Sequence, residues 1–235
     1  MAERVLGERV YVWEPLVRVV HWTVVVSMVV LTITGLYIHG PFLSPAAGDT
    51  AAALMAQVRF VHELFAIVFT IAVGLRVYWA FAGNGYASWR ALVPHTRPQW
   101  RNLAETGRFY GLRRLEPPPG MGHNALAAVA YLVVYAGFAG QILTGLLLFG
   151  WIAGVGPVQA LFGWIVGFVP GGIMTVRLLH YILTFLFLVF TVHHVYSSVL
   201  TDLVERNGLL SSIVTGWKTR WLGHPGEAAE DDVDA

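Results

Sequence analysis

The chain has 235 residues, of which 56% are hydrophobic and only 12% charged, with a net charge of +1 and a mean hydropathy of +0.62. Soluble domains carry about 25% charged residues, so this composition excludes an ordinary soluble domain, and a balance this close to neutral gives no footing for nucleic-acid binding. The chain has no cysteine, which excludes disulfides, cysteine-held iron–sulfur clusters and covalent c-type haem attachment within it.

In chain order, the N-terminus alternates in charge (Glu3, Arg4, Glu8, Arg9). It lacks the short apolar core and cleavage site of a secretory signal. Crossing about 30 Å of hydrocarbon takes about 20 apolar residues. Four segments reach that length, at residues 19–38, 60–81, 125–151 and 178–200. Between the second and third lies a loop, 82–122, rich in Trp, Tyr and Arg (Tyr86, Trp89, Arg90, Trp100, Arg101, Tyr110), a composition suited to the lipid headgroups. Residues 155–172 are apolar but short and broken by Gly163, Gly167 and Pro170, so they read as an interfacial or re-entrant segment. The acidic tail 226–235 reads as disordered.

With four spans, both termini share a side. That side collects Arg4, Arg9, Arg18, Arg76, Arg90, Arg97, Arg101, Arg108, Arg113, Arg114, Arg206, Lys218 and Arg220, against Arg59 and Arg177 on the other. The basic residues face the cytoplasm. The expected fold is therefore all-α: an integral membrane bundle of four transmembrane helices over residues 1–225, both termini cytoplasmic, in a bacterial inner membrane.

Histidines mark these spans. Three follow the same tetrapeptide: Arg18-Val-Val-His21, Arg59-Phe-Val-His62 and Arg177-Leu-Leu-His180; His194 lies 14 residues beyond His180. A histidine within a span is a functional-site hypothesis by default. The topology puts His62 and His180 near the outer surface. Fourteen residues at about 1.5 Å rise place His194 about 21 Å deeper, level with His21. Fourteen steps of about 100° leave His194 about 40° from the face of His180, whereas His193 falls about 140° away. The residues thus supply an outer pair, His62 with His180, and an inner pair, His21 with His194, each able to hold one haem iron between two imidazoles. His193 is left as a polar neighbour. The other histidines, His39, His95 and His224, read as surface residues.

Each arginine of the repeat sits one turn nearer the surface than its histidine. A guanidinium suits pairing with a haem propionate, so Arg18, Arg59 and Arg177 are candidates, with Arg76 a fourth on the inner side. Gly35, Gly74, Gly137, Gly140 and Gly145 within the spans read as points of close helix approach or as room for a flat porphyrin.

These residues resemble a known family. The stretches Tyr11-Val-Trp-Glu-Pro15, Val17-Arg-Val-Val-His-Trp22, Leu31-Thr-Ile-Thr-Gly35, Arg76-Val-Tyr-Trp-Ala-Phe-Ala-Gly-Asn84, Gly122-His-Asn124 and Arg177-Leu-Leu-His180 with Phe190 and His194 are similar to the b-type cytochrome subunit of membrane-bound [NiFe]-hydrogenases. That subunit sits in a wider group with formate dehydrogenase gamma subunits and bacterial cytochromes b561. The likeness covers about residues 11–217. One departure is His180-Tyr181 followed by Phe185, where the family typically has His-His or His-Arg and a downstream Trp.

The resemblance implies two haems b, with occupancy of one or both left open. It implies a hydrogenase small subunit with iron–sulfur clusters and a large NiFe subunit as partners. Electrons would pass to menaquinone or ubiquinone in the surrounding lipid, and the chain would not itself activate hydrogen. It also favours a quinone site at His123 and Asn124, with His193 nearby, although Asn124 equally suits a helix cap. The uncharged segment 151–175 is the expected docking face for the small subunit, or a face set in the headgroups. The residues alone leave open a formate dehydrogenase or thiosulfate reductase cytochrome, a stand-alone cytochrome b561, and a non-haem carrier or assembly anchor.

Overall fold

A computed structural model describes residues 6–42, 49–93, 96–98, 100–101, 104–105, 125–152, 154 and 156–222. The expected tail 226–235 and the residues His95, His123, Asn124 and His224 lie outside these. The elements are strand β1 (Leu6–Tyr11), α1 (Pro15–His39), α2 (Asp49–Ala82), the one-turn α3 (Trp89–Leu92), α4 (Ala125–Ile152), α5 (Gly156–Phe162) with a 3-10 turn at Gly163–Phe168, α6 (Gly172–Glu205), α7 (Leu209–Thr215) and strand β2 (Trp217–Leu222).

Four of the helices, α1, α2, α4 and α6, are long and apolar enough to cross a membrane. The helices run past the apolar stretches that announce them. α2 and α6 have 34 residues each, about 51 Å at about 1.5 Å per residue. Hydropathy sees only the part that lipid would cover, while backbone hydrogen bonding continues the helix beyond it. Arg59 and Arg177 consequently lie inside helices, not at their starts. The segment from Gly156 to Phe168 forms two short helical pieces, too short to span.

The described residues form two compact units: those within Met1–Arg18, Val77–Tyr135 and Val195–Ala235, and those within Val19–Arg76 and Ala136–His194. The first contains the departure from an all-helical fold. β1 and β2 pair antiparallel, from Leu6 opposite Leu222 to Tyr11 opposite Trp217. A lone two-stranded ribbon is marginal in water, and this one is braced by its side chains. Tyr11 packs on Trp217 with ring centroids 5.0 Å apart. The Arg9 guanidinium lies 5.5 Å from the Trp217 ring, and the Lys218 ammonium lies 5.9 Å from the Trp13 ring, both within cation–π range. Burial pushes the Lys218 ammonium below the ordinary lysine range, opposed by Glu205 and Asp202. Gly216 closes the turn before β2 at φ +90°, and a Cβ there would lie 2.6 Å from the Tyr11 ring and 2.8 Å from the Trp13 carbonyl. Only glycine fits both constraints.

The same unit explains the Trp-Glu-Pro and Tyr-Trp-Ala-Phe-Ala-Gly-Asn stretches as two halves of one clamp. Glu14 Oε2 accepts from Trp79 Nε1 at 2.7 Å and from the Asn84 backbone N–H at 3.0 Å. Asn84 donates to the Val12 carbonyl at 3.1 Å and accepts from the Ala87 N–H at 3.0 Å. Trp13 Nε1 donates to Ser212 Oγ, 199 residues away, at 3.1 Å. Val12, Trp13, Val17 and Ala87 form the buried cluster beneath these bonds.

In the second unit, α4 and α6 approach through glycine. A Cβ on Gly137 would come 3.0 Å from Phe187, one on Gly140 would come 3.4 Å from Leu183, and one on Gly145 would come 3.4 Å from His180. Small residues on one face let the backbones close in and bring those side chains into contact. Phe138 sits between Phe69 and Phe187, with centroid separations of 5.0 and 5.1 Å. Leu147, Val166 and Val176 make a second buried cluster that seats the 3-10 turn against the ends of α4 and α6.

Candidate functional site: two histidine pairs within the spans

His180 and His194 lie on one continuous helix, α6, with His21 on α1 and His62 on α2. The centroids of the His21 and His194 rings lie 6.4 Å apart, with the planes tilted by 54°. Trp22 sets its edge against His21, and Phe190 lies nearly parallel to His194. His193 is exposed and close enough to His194 to interact electrostatically. His62 and His180 are likewise within electrostatic reach of each other.

Both rings of the His62/His180 pair are held at Nδ1. Thr34 Oγ1 is 2.8 Å from His62 Nδ1, and Thr144 Oγ1 is 2.9 Å from His180 Nδ1. Beside each threonine a glycine leaves room for the ring: a Cβ on Gly35 would come within 3.2 Å of His62 Cε1, matching Gly145 and His180. The Gln141 amide donates to His180 Nε2 at 3.2 Å. Thr34, Thr144 and Gln141 escaped the sequence reading, although Thr34-Gly35-Leu36 and Thr144-Gly145-Leu146 repeat in it.

The arginines differ in setting. Arg18 donates through Nη1 to the Val214 carbonyl, and its Nε is buried without a hydrogen-bond partner among the described residues. Arg76 is buried, at 7% exposure. Arg59 and Arg177 are exposed. His39, read above as a surface residue, stacks on Tyr181 with centroids 4.1 Å apart, and Tyr181 meets Phe185 edge-on. The departure at Tyr181 and Phe185 thus builds an aromatic cluster next to His180.

The family model for prokaryotic cytochrome b561 matches residues 12–216. The chain belongs to the prokaryotic cytochrome b561 family. It is 35% identical over 217 residues to a probable Ni/Fe-hydrogenase B-type cytochrome subunit of Azotobacter vinelandii, covering 89% of this chain and 88% of the relative. It is 32% identical over 211 residues to the probable Ni/Fe-hydrogenase B-type cytochrome subunit of Cupriavidus necator, covering 89% and 86%. A probable Ni/Fe-hydrogenase 1 B-type cytochrome subunit of Escherichia coli K12 is 30% identical over 216 residues, covering 91% and 92%.

Membership in a cytochrome b family and four apolar helices make this a membrane protein and imply haem b. The residues fit that group. Two imidazole nitrogens, each about 2 Å from one metal ion, place the ring centroids about 6 Å apart. The 6.4 Å between His21 and His194 meets that spacing. Among the described residues no three His, Cys, Asp or Glu side chains converge on a bare metal ion. Paired imidazoles are what an iron already held in a porphyrin plane takes as axial ligands. At His180 a metal bond to Nε2 would replace the Gln141 contact. Gln141 would keep its bond to Thr184 Oγ1 at 3.3 Å, and its Oε1 is buried with no hydrogen-bond partner among the described residues.

Proposed function

We propose that this cytochrome is the di-haem b membrane subunit that takes electrons from a periplasmic [NiFe]-hydrogenase and delivers them to membrane quinone. The pairing of four span histidines at two levels of α6 carries this reading, and the names of the relatives supply hydrogenase as the partner. When bound, haem b supplies one-electron chemistry at iron. The chain's own part is ligation and orientation: His62 with His180 for the outer group, His21 with His194 for the inner. Arg18, Arg59, Arg76 and Arg177 would meet the propionates, and the buried Arg18 Nε has a donor to offer. Both termini face the cytoplasm in this reading, by the distribution of basic residues.

The partner's small subunit docks at the outer side on residues 151–175. Trp151, Leu161, Trp164, Phe168 and Met174 are exposed there, in a stretch free of charge, the kind of apolar surface that marks an interface. Photo-crosslinkers at Trp164 and Phe168 are expected to capture the iron–sulfur subunit in the intact complex. Adducts with lipid alone would remove this surface from the interface.

Quinone is reduced at the opposite end, at His123, Asn124 and His193. These side chains supply hydrogen bonds for two carbonyls and, in histidine, a proton donor near neutral pH. The complex purified from membranes tests the reading. A reduced-minus-oxidised spectrum should show b-type haem, two per chain, with hydrogen-dependent quinone reduction. His123→Ala and Asn124→Ala should slow quinone reduction with the haem spectrum unchanged. Absence of b-type haem sinks the function, and unaltered quinone kinetics in both variants moves the quinone site elsewhere. A molybdenum-containing partner in place of a nickel-containing one would reassign the electron donor.

A further inference from the structure

Thr34 and Thr144 stand in the same relation to the two histidines of the outer pair, and their hydrogen bonds determine which ring nitrogen carries the proton. Thr34 Oγ1 lies 2.7 Å from the Val30 carbonyl and 3.3 Å from the Leu31 carbonyl. Thr144 Oγ1 lies 2.7 Å from the Gly140 carbonyl and 3.1 Å from the Gln141 carbonyl. A hydroxyl has one hydrogen and a carbonyl only accepts, so each threonine gives its hydrogen to its own helix. Its oxygen can then only accept from the imidazole, which puts the ring proton on Nδ1. At the far side of the His180 ring, Nε2 faces an amide N–H of Gln141, so it presents its lone pair.

Back-bonding of a helical threonine to its own carbonyls is ordinary. Thr23, Thr70 and Thr191 do the same in these spans. What sets Thr34 and Thr144 apart is the second bond, to a histidine on the neighbouring span. It recurs with a following glycine that makes space for the ring.

We infer that Thr34 and Thr144 are paired positioning residues for the outer haem: each hydroxyl accepts Nδ1–H, locks the ring with Nε2 toward the iron and sets the donor strength of the ligand. The inference rests on His62 and His180 being ligands. A hydrogen bond from the remote N–H of a ligating histidine orients the ring and raises its basicity. A more basic ligand favours ferric over ferrous iron, so these two bonds hold down the midpoint potential of the group they serve.

The test is a redox titration of the haem absorbance in the intact membrane complex carrying Thr34→Val, Thr34→Ser, Thr144→Val, Thr144→Ser or the double valine change. Thr70→Val, a back-bonding threonine on α2 with no histidine hydrogen bond among the described residues, serves as the control. Either valine variant should move one titration wave to higher potential or lose that haem. The double variant should go further on the same wave, and serine, which keeps the hydroxyl, should keep the wild-type wave and haem content. Unmoved waves in the valine variants overturn the inference. So does a serine variant that shifts or loses haem as valine does, because packing and not the hydroxyl would then matter. His62→Ala distinguishes loss of a ligand from loss of the threonine contact. If that variant keeps both haems, the ligand assignment fails; if it loses one haem while the valine variants titrate normally, only the threonine role fails.

Discussion

Replacing His62 or His180 with alanine is expected to abolish one of two haems and, with it, hydrogen-dependent quinone reduction. In the proposed assignment each ring would supply one of the two protein bonds to the iron, and neither span offers a substitute at that level. The nearest imidazole on α6 is His193, 13 residues and about 20 Å along the helix at about 1.5 Å per residue. Activity should fall at least about 100-fold, in line with losses of about 10–100-fold from second-shell changes alone. His21→Ala or His194→Ala should remove the other haem, while His193→Ala should leave both bound. Pyridine haemochrome content per chain, read beside hydrogen-to-quinone activity, checks each arm. A His193 variant short of one haem, with His194→Ala retaining two, would reverse the assignment on α6.

Glu14→Ala should produce the largest loss of stability outside the histidine sites. The carboxylate accepts from both the Trp79 indole and the Asn84 amide. Its removal leaves two part-buried donors unmatched, at about 1–3 kcal/mol for each such group. A combined cost of about 2–6 kcal/mol is expected. Glu14→Gln, which keeps an acceptor oxygen, should lose roughly half as much on the same reasoning. Thermal loss of monodisperse protein in detergent measures both. A wild-type melting temperature in the alanine variant would mean the clamp contributes nothing.

The spans and their histidines were legible because both announce themselves locally. A run of apolar residues needs no partner to be recognised, and an imidazole inside one is conspicuous. The expected pairing of His180 with His62, and of His194 with His21, was drawn from the topology of the four spans together with helix rise and turn. The threonines were not legible. Thr34 and Thr144 look like any hydroxyl turned back on its helix, and their meaning lies in a ring 28 and 36 residues further on. Those two separations differ because Gly156–Phe168 is inserted between α4 and α6, which hides the repeat of Thr-Gly-Leu followed by Arg-x-x-His. The ribbon was hidden for a related reason. β1 is a polar hexapeptide whose partner lies beyond all four spans, and nothing in Leu6–Tyr11 points to Trp217–Leu222. Asn84 and Trp79 were recognised only as a pattern, and their bonds to Glu14 give that pattern a physical cause. The extra turns of α2 and α6 escaped because hydropathy ends where lipid ends.

The ribbon also imposes a sequence of events during biogenesis. Leu6–Tyr11 is made before the four long helices, yet the strand it pairs with is made only after them. Trp13 waits equally long for Ser212. Throughout translation the N-terminal flank of the first helix therefore lacks its closing contacts, and the nascent protein stays unfastened at that end. A product broken off after Glu205 would keep His21, His62, His180 and His194 while leaving β1 without its strand. Closing the ribbon is thus a later event than gathering the histidines, because β2 follows all four of them in the chain.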